Sequence, residues 1–464
     1  MKFVARDNEI KVLNKKLREN NSNFFVIYGK RRVGKTELVK QFIKDKNAIY
    51  YLADKRSSFE QLRDLSKVFS ETFNDKLLLK RGFTEWLDVF EYLKEKKLKN
   101  FIFVIDEYPY LVEIDKSMSS VFQKAWDEYL KDTGIFLIIL GSSMSIMESE
   151  TLNYKSPLYG RRTGQILLKN MSFMESWKFF PKMKFESFLK IYTVTGGMPA
   201  YIMQFDDKLT FEQNLKEKIF NKSSFLHNEI EFILKEEFRE PKNYLSILRA
   251  IAFSKTKFSE IVSETNLEKN ILSKYLSVLE KLQIIEKETP ILEINPLKSK
   301  RGIYKISDNF FKFWFKYILP NRSELELDNY QNVIKKINQD FNLLESQVYE
   351  RVCHEIILNF QKKLFEFEKI GRYWDSKIEI DLIAFNSSSK QVLFGEAKWS
   401  NQKVDSSVFF NLKEKAKSIK WNNDKRKEYF ALFSKTGFDK KLIELSKKEN
   451  LTLVCGSKIG LTLG

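Results

Sequence analysis

The sequence predicts an α/β protein of several domains whose first domain is organised on a parallel sheet. Short, almost wholly apolar runs alternate with helical stretches up to about residue 145, and one strand-loop-helix junction among them carries GKRRVGKT at residues 29–36. The chain has 464 residues and 43% hydrophobic content. That length exceeds what one core organises, so about two to four domains are expected.

In chain order, residues 24–28, 48–52, 101–105 and 135–140 are apolar or nearly so, the pattern of strands buried on both faces. Residues 173–253 read as helical, broken by Gly196, Gly197 and Pro199, and are expected to form an all-helical lid and connector. Residues 242–306 give three short helical patterns and then two strand-like pieces around a basic loop; beyond about 340, strands and helices mix again. The expected domains are therefore a parallel α/β core at 1–165, a helical lid and connector at 166–237, a three-helix and strand-pair unit at 238–325 and an α/β domain at 326–464. No internal repeat or low-complexity tract separates them.

Lys and Arg number 80 against 62 Asp and Glu, a net charge of +18 that favours a polyanionic partner such as nucleic acid; the competing explanation is a merely soluble, lysine-rich surface. Only Cys353 and Cys455 are present, with His227 and His354, so neither a disulfide framework nor a zinc-ligand spacing exists and a cytoplasmic setting is expected. The N-terminus lacks an apolar signal core, and the most hydrophobic runs are short and carry lysines, so no membrane span is expected.

GKRRVGKT fits G-x-x-x-x-G-K-[ST], follows the strand NFFVIY and opens a helix. Backbone N–H groups of the loop between Gly29 and Gly34 would cradle phosphates, Lys35 would reach the terminal ones, and Thr36 would offer its hydroxyl to Mg²⁺. The strand FIFVID ends in Asp106, whose carboxylate can hold the metal or its water, and Glu107 can activate the attacking water for ATP hydrolysis. Ser142 and Ser143 end the next strand, IFLIILGSS, where a hydroxyl would lie near the γ-phosphate. In SPLYGRRT, Arg161 and Arg162 are candidates for neutralising charge in phosphoryl transfer, in cis or in trans, though a solvated arginine pair fits equally well.

These motifs occur in order with FVARDNEIKVL at the start, TGGMP at 195–199, EEFREPKNYLSILRAIA and KRGIYKISDNFFKFWFKYILP. In that order the chain resembles the archaeal-type STAND-class P-loop ATPases, also called archaeal or AAA-like ATPases. The resemblance implies a three-layer P-loop NTPase core, a helical lid whose Gly-Gly-x-Pro turn approaches the nucleotide, a winged helix, and a C-terminal α/β domain similar to PD-(D/E)XK, restriction-endonuclease-like nucleases. Ala5 departs from it, standing where the family usually has Gly beside the Arg6 position.

The residues themselves support the winged helix. Tyr244, Ile247, Leu248, Ile251 and Ala252 share one helical face, KFSEIVSETN reads as a second helix, and 269–282 as a third with Ile271, Leu272, Tyr275, Leu276, Leu279 and Leu282 inward. Its other face holds Asn270, Ser273, Lys274 and Ser277, and the loop between the strands holds Lys298, Lys300 and Arg301, so groove and phosphate contacts are expected together. Winged helices also mediate purely protein contacts, and this helix carries Glu268 and Glu280.

KIEIDLIAF and QVLFGEAKW, joined by NSSSK, read as an antiparallel hairpin. Period two puts Glu379 and Asp381 on one face of the first strand, and Glu396 and Lys398 on one face of the second. Asp381 and Glu396 would bind Mg²⁺, and Lys398 would stabilise hydroxide for phosphodiester attack. Glu350, in the helical QVYERVCHEI, matches the family's helical acid and joins the metal set by resemblance, with His354 one turn on. Trp374 and Trp399 are candidates for base stacking or for a core edge. Together these readings describe an ATP-dependent switch acting on DNA, with a homo-oligomer or protein partner possible. A non-catalytic DNA- or protein-binding regulator and a peptide-recognising ATPase are the rivals.

Overall fold

The computed structural model describes residues 3–19, 21–238, 240–423 and 425–460. The chain divides into two compact units. Unit 1 comprises Met1–Met171 with Met198–Ala200, and unit 2 comprises Ser172–Gly197 with Tyr201–Gly464.

Unit 1 is a five-stranded sheet in the order β2-β3-β4-β1-β5, with every pairing parallel. Its strands are β1 (Asn23–Tyr28), β2 (Ala48–Leu52), β3 (Ile102–Asp106), β4 (Phe136–Gly141) and β5 (Gly164–Leu167). Alternate residues supply two apolar layers: Phe24 and Val26 join Phe103, Ile105, Leu137 and Ile139 on one face, while Phe25 and Ile27 join Val104, Ile138 and Leu140 on the other. Helices cover both faces, giving three layers. Each such fully buried side chain contributes about 2–3 kcal/mol, which is why these runs lack polar alternation. The sequence reading omits β5; as an edge strand it is only partly buried and its GQIL lacks the apolar signature.

In unit 2 the helices Lys242–Ala252, Phe258–Thr265 and Lys269–Lys281 precede an antiparallel pair, β6 (Ile285–Glu288) and β7 (Ile303–Ile306). Leu272, Leu276, Leu279 and Leu282 point inward as expected, but Ile271 stands 36% exposed, so the inward stripe is narrower than its apolar residues suggest. A 31-residue helix, Tyr330–Phe360, then leads to a six-stranded sheet in the order β13-β12-β11-β10-β9-β8. These strands are β8 (Lys369–Trp374), β9 (Glu379–Asn386), β10 (Gln391–Lys398), β11 (Lys427–Ser434), β12 (Leu451–Cys455) and β13 (Lys458–Gly460). β9 pairs antiparallel with both β8 and β10, whereas β10, β11 and β12 run parallel. The helix Ser406–Lys417 lays Phe409, Leu412 and Ala416 on one face of the sheet. Among the described residues no helix is long and apolar enough to cross a membrane.

Candidate functional site

The first candidate site forms where β1, β3 and β4 end. Gly29 has φ 156°, and a Cβ there would run into the Leu168 carbonyl, so only glycine lets the loop leave β1. Gly34 has φ 95° and precedes the helix Lys35–Ile43, so the N-terminal end of that helix opens onto the loop. Pro199 approaches it, its Cγ lying 4.0 Å from where a Gly34 Cβ would stand. Lys35 is buried and its ammonium donates to the carbonyls of Gly29 and Lys30, each at 3.0 Å.

A chain of hydrogen bonds joins the polar residues. Thr36 Oγ1 donates to Asp106 Oδ2 at 2.6 Å, and the Tyr50 hydroxyl donates to the same oxygen at 2.6 Å. Asp106 Oδ1 accepts the Glu107 N–H at 2.9 Å. Glu107, at φ 55°, turns its carboxylate to Ser142, which donates from Oγ at 2.8 and 2.9 Å and from its N–H at 3.2 Å. Thr36 and Asp106 thus present adjacent oxygens, a donor set that fits a hard divalent cation such as Mg²⁺. Tyr50 is absent from the sequence reading. It lies in the apolar run 48–52, but only the parallel register of β2 with β3, in which Leu52 pairs with Asp106, puts it on the same face as Asp106. Burial first, and then the bond to Asp106, push its phenol up, so it remains a donor.

Arg6 donates to the carbonyls of Val33, at 3.2 Å, and Lys169, at 2.7 Å, tying the chain start to the loop. The turn forms despite the missing glycine, with Ala5 and Arg6 both left-handed at φ 59° and 67°.

Arg161 and Arg162, the candidates for neutralising charge in phosphoryl transfer, have partners of their own: the Arg161 guanidinium pairs with Asp127 at 2.9 Å, and Arg162 donates to the Thr151 carbonyl at 2.7 Å over the Tyr159 ring, with its charge felt at the Tyr28 phenol at the end of β1.

In unit 2, β9 and β10 pair antiparallel, with Gly395 opposite Leu382, which brings Asp381 beside the end of β10. Asp381 Oδ2 accepts the Ala397 N–H at 2.9 Å. Burial, then the charges of Glu396 and Glu350, push Asp381 up to about 7. Glu396 is buried and accepts from Lys398 at 2.7 Å and from Lys415 at 3.0 Å. Lys415, on the helix Ser406–Lys417, was not singled out from sequence because no pairing rule links that helix to β10. His354 Nε2 lies 2.8 Å from the Asp381 carbonyl oxygen.

Glu350 departs from its expected role. Its carboxylate faces Arg372, 3.7 Å away, and Arg372 also pairs with Glu288 and Glu379. Among the described residues no group of three or more His, Cys, Asp or Glu side chains could share an ion. The expected three-carboxylate metal set is therefore not assembled: Glu396 is held by Lys398 and Lys415, and Glu350 faces an arginine that it shares with Glu288 and Glu379. Trp399 packs against Tyr349, ring centres 4.8 Å apart, as a core edge.

Asn270, Ser273, Lys274 and Ser277 are exposed on the third helix, as expected. The hairpin loop is another matter: Ile291 and Leu292 pack on the C-terminal core, and the Ile291 N–H donates to the Arg372 carbonyl at 2.8 Å. Arg301 pairs with Glu293 at 2.8 Å, whereas Lys298 and Lys300 stand exposed.

Residues 3–205 match a family described as an ATPase domain predominantly from Archaea, and residues 314–428 match one described as archaeal and bacterial proteins of unknown function. An uncharacterized protein of Methanocaldococcus jannaschii is 38% identical over 438 residues, covering 93% of this chain and 95% of that one. A shorter ATP-binding protein of the same organism is 48% identical over 44 residues, 10% of this chain and 75% of that one. A Walker-type ATPase of Pyrococcus abyssi superposes with a TM-score of 0.51 at 21% identity, over 68% of this chain and 96% of that one, which establishes a shared fold. The chain belongs to the family it forms with the Methanocaldococcus jannaschii protein, one built on an ATPase domain found predominantly in Archaea.

Proposed function

We propose that this chain binds ATP, hydrolyses it with Mg²⁺, and couples its nucleotide state to the engagement of DNA by unit 2. The observation that carries the reading is the continuous Thr36–Asp106–Glu107–Ser142 hydrogen-bond chain at the ends of β1, β3 and β4. The loop N–H groups and Lys35 would hold the phosphates, Lys35 exchanging its carbonyl partners for phosphate oxygens. Thr36 and Asp106 would hold Mg²⁺, which supplies charge neutralisation across the phosphates. Glu107 would orient and deprotonate the attacking water. Ser142 has a single hydroxyl proton; when its hydroxyl donates to a phosphate oxygen, the Glu107 carboxylate keeps only the Ser142 N–H and one of its oxygens is free for that task.

Lys35→Ala is expected to abolish nucleotide binding, while Glu107→Gln keeps binding and lowers turnover at least about a hundredfold. Wild-type hydrolysis by Glu107→Gln would reassign the base.

For unit 2, Asp381, Glu396 and Lys398 support a nuclease-like reading. The hold of Lys398 and Lys415 on Glu396 favours a second one, a DNA- or protein-binding regulator whose C-terminal domain does not cleave. Incubating plasmid and branched DNA with the protein, with and without ATP and with Mg²⁺ or Mn²⁺, separates the two: metal-dependent cleavage lost in Glu396→Ala supports the first, and binding without cleavage the second.

A further inference from the structure

A cleft of about 580 Å³ opens beside the end of β10, lined in part by Glu396, Lys398, Asn411 and Lys415. Its charges do not cancel. Two ammonium groups share one carboxylate, and the remaining acid in the lining, Glu414, is taken by Lys417 at 2.7 Å. Glu396 is buried, yet Lys398 and Lys415 remain 41% and 30% exposed toward solvent. Each ammonium has three N–H donors, so both retain capacity for a second anion.

We propose that Lys398 and Lys415 form a clamp for a phosphodiester of a nucleic-acid backbone, with the Glu396 carboxylate as the resident anion that holds the pair together. The geometry selects the ligand class. Lys398 meets Oε1, at 2.7 Å, and Lys415 spans both oxygens, at 3.0 and 3.2 Å, so the two cations converge on one two-oxygen anion. The two non-bridging oxygens of a phosphodiester present a comparable pair. A phosphate entering the cleft draws the ammonium groups partly off Glu396, and the carboxylate's charge sets how strongly they resist. Lys415 is thereby a binding residue from a helix rather than from the β9–β10 hairpin. The inference rests on the DNA reading of unit 2 and requires no cleavage.

The test is fluorescence anisotropy of a short labelled duplex with the full chain in EDTA, repeated across salt concentrations. Lys415→Gln and Lys398→Gln are each expected to weaken binding roughly tenfold and to lower the slope of log affinity against log salt by about one unit. Glu396→Gln, which removes the competing anion while keeping the shape, is expected to tighten binding several-fold. Thermal unfolding of each variant controls for folding, and the gain in Glu396→Gln cannot come from damage. If wild type binds DNA and the lysine variants match it in affinity and slope, or Glu396→Gln weakens binding, the clamp is wrong while the DNA reading stands. If wild type shows no salt-dependent binding, the DNA reading falls and the clamp with it. Binding that depends on Lys415 without any cleavage in Mg²⁺ upholds the clamp and removes only the nuclease reading.

Discussion

Ala5 shows how one residue can conflict with its place. At φ 59° it occupies the left-handed region, which costs an alanine about 1 kcal/mol, yet the Arg6 side chain next to it secures the Val33 carbonyl inside the phosphate loop. Glycine has no Cβ to strain there but loses more freedom on folding, so Ala5→Gly is expected to stabilise unit 1 by between zero and about 1 kcal/mol in chemical denaturation. Destabilisation beyond about 1 kcal/mol would mean that the Ala5 methyl makes packing the turn depends on. Residue identity made much of the nucleotide site legible: Gly29, Gly34, Lys35, Thr36 and Asp106 occupy fixed offsets within single strand-loop-helix units. Tyr50 and Lys415 were harder to see, since each meets its partner across elements distant in sequence, and only sheet register or helix placement brings them together.

At the scale of elements, the helix Tyr330–Phe360 carries a titratable group that its packing disfavours. Glu355 accepts the Phe173 N–H at 2.8 Å, and burial, opposed by that bond and by Arg351, pushes its carboxyl up from 4.5 to about 7. Because the folded value is raised, the stability linked to the proton is fully present below pH 4.5 and is lost as pH rises through about 7. Glu355→Gln keeps an acceptor and does not titrate. Its melting temperature relative to wild type should therefore climb across that window and level off above it, the free-energy gain reaching roughly 1–3 kcal/mol. A difference independent of pH would show that Glu355 is solvated in the folded chain.

The β6–β7 hairpin makes a different point about elements. Its basic loop reads from sequence as a wing for phosphates, but Ile291 and Leu292 were equally visible there and carry a competing tendency, burial on an apolar surface, which the fold satisfies against the C-terminal core. A charge at Ile291 should undo this. Ile291→Asp is expected to cost about 1–3 kcal/mol and to open residues 289–302 to proteolysis. Cleavage kinetics identical to wild type would show that the loop does not depend on that contact.

For the whole molecule, coupling between the ATPase core and DNA engagement is a thermodynamic quantity with a built-in check. If a non-hydrolysable ATP analogue changes DNA affinity by some factor, DNA must change affinity for that analogue by the same factor. Factors of about 5–150 are typical where such coupling operates, and titrations in both directions by calorimetry would measure it. A factor of one in both directions would leave a nucleotide-binding unit and a DNA-binding unit with no communication at equilibrium. The sequence foretold the parallel core and the late hairpin because each is set by local apolar periodicity. It could not foretell the division into units, since that depends on which distant segments pack together.

Residues Met198–Ala200 belong to unit 1 although the chain on both sides of them belongs to unit 2, so the backbone passes from one to the other three times. The units are consequently interleaved in sequence, and no single cut separates them. A fragment ending at Met171 keeps all five strands and every residue of the phosphate loop but discards Pro199, the residue that approaches Gly34. Gene fusion or domain exchange at that junction would therefore transfer an incomplete ATPase, and a lineage that swaps the rest of the chain must carry this three-residue insertion along with the core.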